Sequence, residues 1–268
     1  MNINQTQRRG GKFVKKIVGG GSPHAEVAAS KAFEELGVPH IPISHEQKDG
    51  DDYVTAPYHD NLHTLALLGA SHPMGGVRNV LPQLKHVLHD KRRIGQIALA
   101  EWLINADDRH GGNYALDKDK GLLSIDHGWA WHPSTLYWPH LNGKNSEDMD
   151  ETRYILDAQS RNISEHLVKD PLDSELFHHL TTSGMPRAEQ HAIEVHPDDI
   201  KQALHAEPRI VSLAHEATSG LPEHSRQQAV DAARARYLVL KRHLQESGKL
   251  TLRDLSALTE EAKDGLRQ

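Results

Sequence analysis

The stretch from Asp107 to Trp131 constrains this chain more than any other. It reads Asp-Asp-Arg-His-Gly-Gly-Asn-Tyr-Ala-Leu, then a polar Asp-Lys-Asp-Lys-Gly turn, then Leu-Leu-Ser-Ile-Asp-His-Gly-Trp-Ala-Trp. Apolar runs on either side of a polar turn predict two short paired strands. That pairing folds the far ends back together, so Asp108, Asn113 and Asp126 converge on one small space. Asn113 follows Asp108 by five residues and Asp126 follows it by 18. All three side chains offer oxygen, the ligand that magnesium prefers. One group to orient an attacking hydroxyl and two to hold a metal on nucleotide phosphates are the needs of phosphoryl transfer.

The rest of the chain is organised around that stretch. Residues 1–12 are polar and read as a loose arm. Phe13 to Val18 is a strand candidate carrying Lys15 and Lys16, ended by Gly19-Gly20-Gly21-Ser22-Pro23. A helix is predicted from about His24 to Leu36, with Ser22 as cap, Pro23 in its first turn and an alanine-rich apolar stripe. Glu26 lies in its first turn. Strands are predicted at Ile41–Ser44 and Tyr53–Tyr58 around a Lys-Asp-Gly-Asp turn. Short helical pieces follow between residues 62 and 89. An amphipathic helix from Lys91 to Asn105 then runs into the central stretch, with Ile94, Ile97, Ala98 and Trp102 on one side. Beyond Gly128 comes an aromatic segment, 129–146. Helices are predicted at about 151–168, 171–182, 186–194, 197–206, 208–217, 223–247 and 251–265.

The set Asp108-Arg109-His110-x-x-Asn113, followed by Ile125-Asp126-His127-Gly128, resembles the phosphatidylinositol 3-/4-kinase and HipA-like branch of the protein-kinase-like fold. The order Lys, Glu, Leu-Gly, Val-Pro before it is similar to the small lobe of HipA-like kinases. The resemblance implies an α+β, bilobal fold. Residues 1–60 would form a minimal N-terminal β-sheet lobe with one helix, and 61–268 a mainly helical lobe holding a catalytic loop (105–113) and a metal-binding motif (125–128). It implies ATP and Mg2+ as cofactors, with Asn113 and Asp126 as the magnesium ligands. Asp108 would orient and deprotonate the acceptor hydroxyl, with His110 as its rival. Lys15 or Lys16, paired with Glu26, would position the nucleotide phosphates; Lys15 is preferred because it follows Phe13 and Val14.

Two departures from the family pattern stand out. His127 occupies the middle of the Asp-Phe-Gly-like motif, a position that packs rather than reacts. No strand, glycine-rich turn and second strand precede the lysine, and only 14 residues lie before Lys15. Either Arg8–Gly11 forms a cut-down flap, or Gly19-Gly20-Gly21-Ser22 supplies backbone N–H groups at a helix N-terminus.

Composition narrows the partners. Net charge is −6, from 31 basic and 37 acidic residues, which argues against nucleic acid. Residues 129–146 contain Lys144 and no arginine, which argues against an inositol lipid. The reading is therefore an ATP-dependent protein serine/threonine kinase with a protein substrate. With no cysteine in the chain, thiolate chemistry and disulfides are excluded. No apolar run reaches the length of a membrane span, and the N-terminus has no apolar signal core. The expectation is a cytoplasmic protein, or one delivered into a host cytosol by an address not readable here. Two alternatives come from other classes. One is a nucleotide-binding pseudokinase that serves as an interaction module. The other is a metal-dependent His-Asp phosphohydrolase, drawn from His59-Asp60, His63 and His89-Asp90.

Overall fold

A computed structural model describes residues 5–9, 12–16, 22–57, 62–65, 86–106, 109–117, 119–131 and 170–267, the first two segments through their backbone. The chain is mixed α+β, with two small antiparallel sheets and a mainly helical remainder.

The first sheet is built from β1 (Gln5–Arg9), β2 (Lys12–Lys16), β3 (Ser44–Lys48) and β4 (Asp51–Pro57), in the order β1-β2-β4-β3. β1 replaces the loose arm expected at residues 1–12. It pairs with β2 from Gln5↔Lys16 to Arg9↔Lys12, so only two residues connect the strands. Polar strands of this kind carry little hydrophobic signal, and cross-strand hydrogen bonding decides them. β3 also lies three residues later than Ile41–Ser44. Lys48↔Asp51 closes that hairpin over Asp49 and Gly50, both at positive φ (54° and 82°). This is the geometry that an Asp-Gly pair favours in a two-residue hairpin turn.

Between the strands of this sheet runs α1 (Pro23–Glu35). Ser22 caps it, its hydroxyl accepting from the Ala25 N–H at 3.2 Å. Ala25, Ala28, Ala29, Ala32 and Phe33 are fully or nearly fully buried. Small residues let this helix lie close along a partner, which is α5 (Pro197–Ala217). The two run antiparallel: the Ser22 hydroxyl reaches the Ala217 carbonyl at 3.4 Å, and Gln202 donates to the Glu35 carbonyl at 2.5 Å. Sequence spacing predicted a break in α5 before Pro208. The helix is continuous, because packing against α1 on one side and α6 (Glu223–Ser247) on the other outweighs one lost backbone bond.

α2 (Lys91–Leu103) is the central element. Asp90 caps it by accepting from the Arg93 N–H at 3.1 Å. The expected apolar side, Ile94, Ile97, Ala98 and Trp102, is buried, but so are Leu99, Ala100 and Glu101. α2 is thus surrounded rather than half-exposed, by β7 (Gly121–Ser124), α6 and α7 (Leu252–Arg267). Trp102 donates its indole N–H to Thr259 of α7 at 3.0 Å. β7 belongs to the second sheet, β5 (His63–Thr64), β6 (Tyr114–Asp117) and β7, in that order. Two short helices, α3 (Glu175–Thr182) and α4 (Arg187–His191), complete the helical part. α6 ends where predicted, at Gly248 in the left-handed conformation (φ 70°). α7 opens on a reciprocal cap between Thr251 and Asp254. The predicted helix at 151–168 and most of the aromatic segment 129–146 lie outside the described residues.

Candidate active site

The predicted strand–turn–strand is present. β6 and β7 pair from Tyr114↔Ser124 to Asp117↔Gly121, and the Asp117 carboxylate accepts from the Asp119 and Lys120 N–H groups in the turn. The pairing continues past the strands: the Ile125 N–H donates to the Asn113 carbonyl at 2.9 Å. Backbone bonding thus sets Asn113 opposite Ile125, the residue before Asp126. Asn113 closes a single 3-10 turn, Gly111–Asn113, and is buried, whereas Asp126 is exposed. Asp126 sits at φ 56°, a left-handed conformation that costs a non-glycine residue energy and that aspartate tolerates better than most. Asp108 lies outside the described residues, between Ala106 and Arg109.

Arg109 is what holds these pieces together. Its Nη1 donates to the carbonyls of Ile125 (3.1 Å) and Asp126 (3.3 Å), and its Nη2 to the carbonyl of Asn113 (2.9 Å) and to Ser124 Oγ (2.5 Å). Nη2 also pairs with Glu101 Oε1 of α2 at 2.9 Å, and the guanidinium lies 4.7 Å from the Tyr114 ring centre. Only a rigid fork of five N–H donors can serve so many acceptors at once. Arg109 and Glu101 side chains are 6% and 3% exposed, so this is a buried ion pair, tolerable because every partner is hydrogen-bonded. Burial works against the Arg109 charge, but the Glu101 carboxylate together with Tyr114 and Asp126 outweighs it and raises the pKa. Tyr114, whose hydroxyl donates to Glu101 Oε2 at 2.8 Å, is pushed up by burial and by that same carboxylate.

Ser124 and His127 extend the cluster. Ser124 Oγ lies 2.5 Å from Glu101 Oε1 and 2.8 Å from His127 Nε2. The buried imidazole of His127 packs on Phe33 of α1, ring centres 4.8 Å apart. The His127 N–H donates to Glu26 Oε2 at 2.9 Å, and the Ser22 N–H donates to the Gly128 carbonyl at 2.8 Å. The first turn of α1 is thus fastened to the Ile-Asp-His-Gly motif. Glu26 is buried, at 4% exposure.

Lys15 and Lys16 lie on β2, in register with Val54 and Tyr53 of β4; their side chains lie outside the described residues. His110 is exposed and caps the 3-10 turn, its Nδ1 accepting from the Gly112 N–H at 3.0 Å. A Cβ on Gly112 would stand 2.7 Å from His110 Cε1, so the cap needs glycine there. Glu175, at the start of α3, accepts from the Gly111 N–H at 2.5 Å and donates its own N–H to the Arg109 carbonyl.

Glu101, Tyr114 and Ser124 were not singled out from the sequence. Glu101 had a signal: it falls three and four residues after Ala98 and Ile97, inside the apolar stripe of α2. Of the residues behind the phosphohydrolase alternative, His63 lies on β5. Asp90 caps α2, and His89 Nε2 lies 2.6 Å from Ser183 Oγ; residues 58–61 lie outside the described residues. Among the described residues, no group of three His, Asp or Glu could hold a metal ion, and no helix is long and apolar enough to cross a membrane.

No family model matches the chain, and no curated protein matches it in sequence. Among solved structures it is similar to HipA of Shewanella oneidensis MR-1, from a toxin–antitoxin system in complex with HipB and operator DNA. Identity is 13%, covering 96% of this chain and 66% of that one, with a TM-score of 0.44. It is also similar to the Helicobacter pylori proinflammatory kinase CtkA, at 11% identity, covering 96% of this chain and 91% of that one, again with a TM-score of 0.44. The chain spans just under two thirds of the HipA chain. At these values neither likeness bears on the site, which is read from its own geometry.

Proposed function

We propose that this protein is an ATP-dependent phosphotransferase of the atypical kinase type, acting on a serine or threonine hydroxyl of a protein. The observation that carries this reading is the Arg109 fork, which binds the carbonyls of Asn113 and Asp126 from the loop that carries Asp108. The two proposed metal ligands thereby share one support, the residue that follows Asp108 in the sequence. In this reading the lobes meet near residue 60. The β1-β2-β4-β3 sheet and α1 would cover the nucleotide, with its phosphates served either by Arg8–Gly11 as a cut-down flap or by Gly19-Gly20-Gly21-Ser22 at the start of α1.

Oxygen donors at Asn113 and Asp126 suit Mg2+, which when bound to ATP would neutralise charge on the transferring phosphoryl group. Lys15 or Lys16, paired with Glu26, would position the nucleotide phosphates. Asp108 is the base for the acceptor hydroxyl. His110 is a donor rather than its rival: Nδ1 already accepts from the Gly112 N–H, so the ring proton sits on Nε2. Catalysis of this kind is positioning and electrostatics. The net charge of −6 argues against an anionic lipid or nucleic acid as partner.

The test is transfer of labelled phosphate from Mg2+-ATP, with the protein alone and with cell lysate, beside Asp126→Ala. Transfer by wild type and its loss in the variant support the reading. ATP binding without turnover would make the protein a pseudokinase. Neither binding nor turnover would end the kinase reading.

A further inference from the structure

The middle residue of the Ile-Asp-His-Gly motif has a bonding pattern that packing alone does not require. Ser124 Oγ is within hydrogen-bond distance of three groups: Glu101 Oε1 at 2.5 Å, Arg109 Nη2 at 2.5 Å and His127 Nε2 at 2.8 Å. A hydroxyl has one hydrogen to give and two lone pairs to receive. Arg109 can only donate. Glu101, ion-paired with Arg109, can only accept, so the serine hydrogen goes to it. His127 Nε2 is left one role, that of donor.

We propose that His127 is a positioning residue that fixes Asp126 against the catalytic loop through an Nε2–H···Oγ bond to Ser124. Asp126 immediately precedes it, in a left-handed conformation. His127 grips the surroundings at three points: Ser124 through Nε2, Glu26 through its backbone N–H, and Phe33 through its ring face. Glu26 and Phe33 sit on α1, Ser124 on β7 and Glu101 on α2, so His127 joins α1 and β7 directly and α2 through Ser124. A phenylalanine there would keep the ring contact and the backbone bond and lose the bond to Ser124. This inference rests on the reading of Asp126 as a metal ligand. Groups that orient a ligand in this way typically change metal affinity by about 10–100-fold when removed.

Two measurements test it. In 15N–1H correlation spectra of the imidazoles, the signals absent from His127→Phe identify His127, and they must show the proton on Nε2. A proton on Nδ1 alone overturns the proposal, whatever the enzyme does. Mn2+ binding with a non-hydrolysable ATP analogue, followed by electron paramagnetic resonance, reads the second part. His127→Phe should weaken Mn2+ by about tenfold, while His127→Gln, whose amide N–H can replace Nε2–H, stays within about twofold of wild type. Equal affinity in wild type and His127→Phe overturns the proposal. If wild type binds no Mn2+ while the Nε2–H signal is present, the kinase reading has failed and takes this positioning role with it.

Discussion

The carboxylate of Glu26 accepts the backbone N–H of His127 at 2.9 Å, joining residues 101 positions apart. This bond fastens the first turn of α1 to the motif that carries Asp126. Replacing Glu26 with alanine leaves a buried N–H without its acceptor, at a cost of about 1–3 kcal/mol. Glu26→Gln keeps an acceptor oxygen but loses the charge that the proposed phosphate-binding lysine requires. Urea denaturation should find Glu26→Gln near wild type and Glu26→Ala well below it, while both lose more than about tenfold in phosphate transfer.

Glu101 and Arg109 form the most deeply buried ion pair among the described residues of the site. Removing one member strands the other charge. Glu101→Gln should destabilise the protein by about 3–5 kcal/mol, and the loss should be much larger than for the exposed pair of Lys91 with Glu189. Equal denaturation midpoints for Glu101→Gln and Lys91→Ala would show that Arg109 is held by its carbonyl contacts alone.

Gly112→Ala separates function from stability. The added Cβ meets the imidazole of His110 at 2.7 Å, and that exposed ring can swing away. Stability should change by less than about 1 kcal/mol. Transfer activity should fall, because His110 loses the N–H that sets its donor face. A fall in stability with unchanged activity would contradict the role given to His110.

The α1–α5 contact predicts a pH dependence. Burial tends to raise the Glu216 pKa, but Arg209, together with Lys31 of α1, outweighs it and holds the carboxyl below its ordinary value of 4.5. A carboxylate with a depressed folded pKa stabilises above its unfolded pKa, and the stabilisation disappears as pH falls through the lower folded value. Glu216→Gln should therefore be less stable than wild type at neutral pH, with the gap closing in acid. A gap that stays constant down to about pH 2 would show that the Glu216 charge does not stabilise the α1–α5 contact.

Much of the local structure is written in the sequence because its causes are local. Ser22 with Pro23, Asp90 and Gly248 mark helix ends by capping chemistry, and Asp49-Gly50 marks a hairpin by backbone conformation. The spacing of Asn113, the polar turn and Asp126 carries the hairpin that sets Asn113 opposite Ile125, the residue before Asp126. Other features depend on residues far apart in the chain. β1 is visible only through its partner strand, since polar strands lack periodic signal. Pro208 stays inside a helix because α1 and α6 confine it. Glu101 reads as one acid in an amphipathic helix until burial makes it the counter-charge of Arg109. His127 reads as a packing residue until the single hydrogen of Ser124 is counted. Burying charge and polar groups demands exact pairing, and only the tertiary structure decides which distant groups supply it.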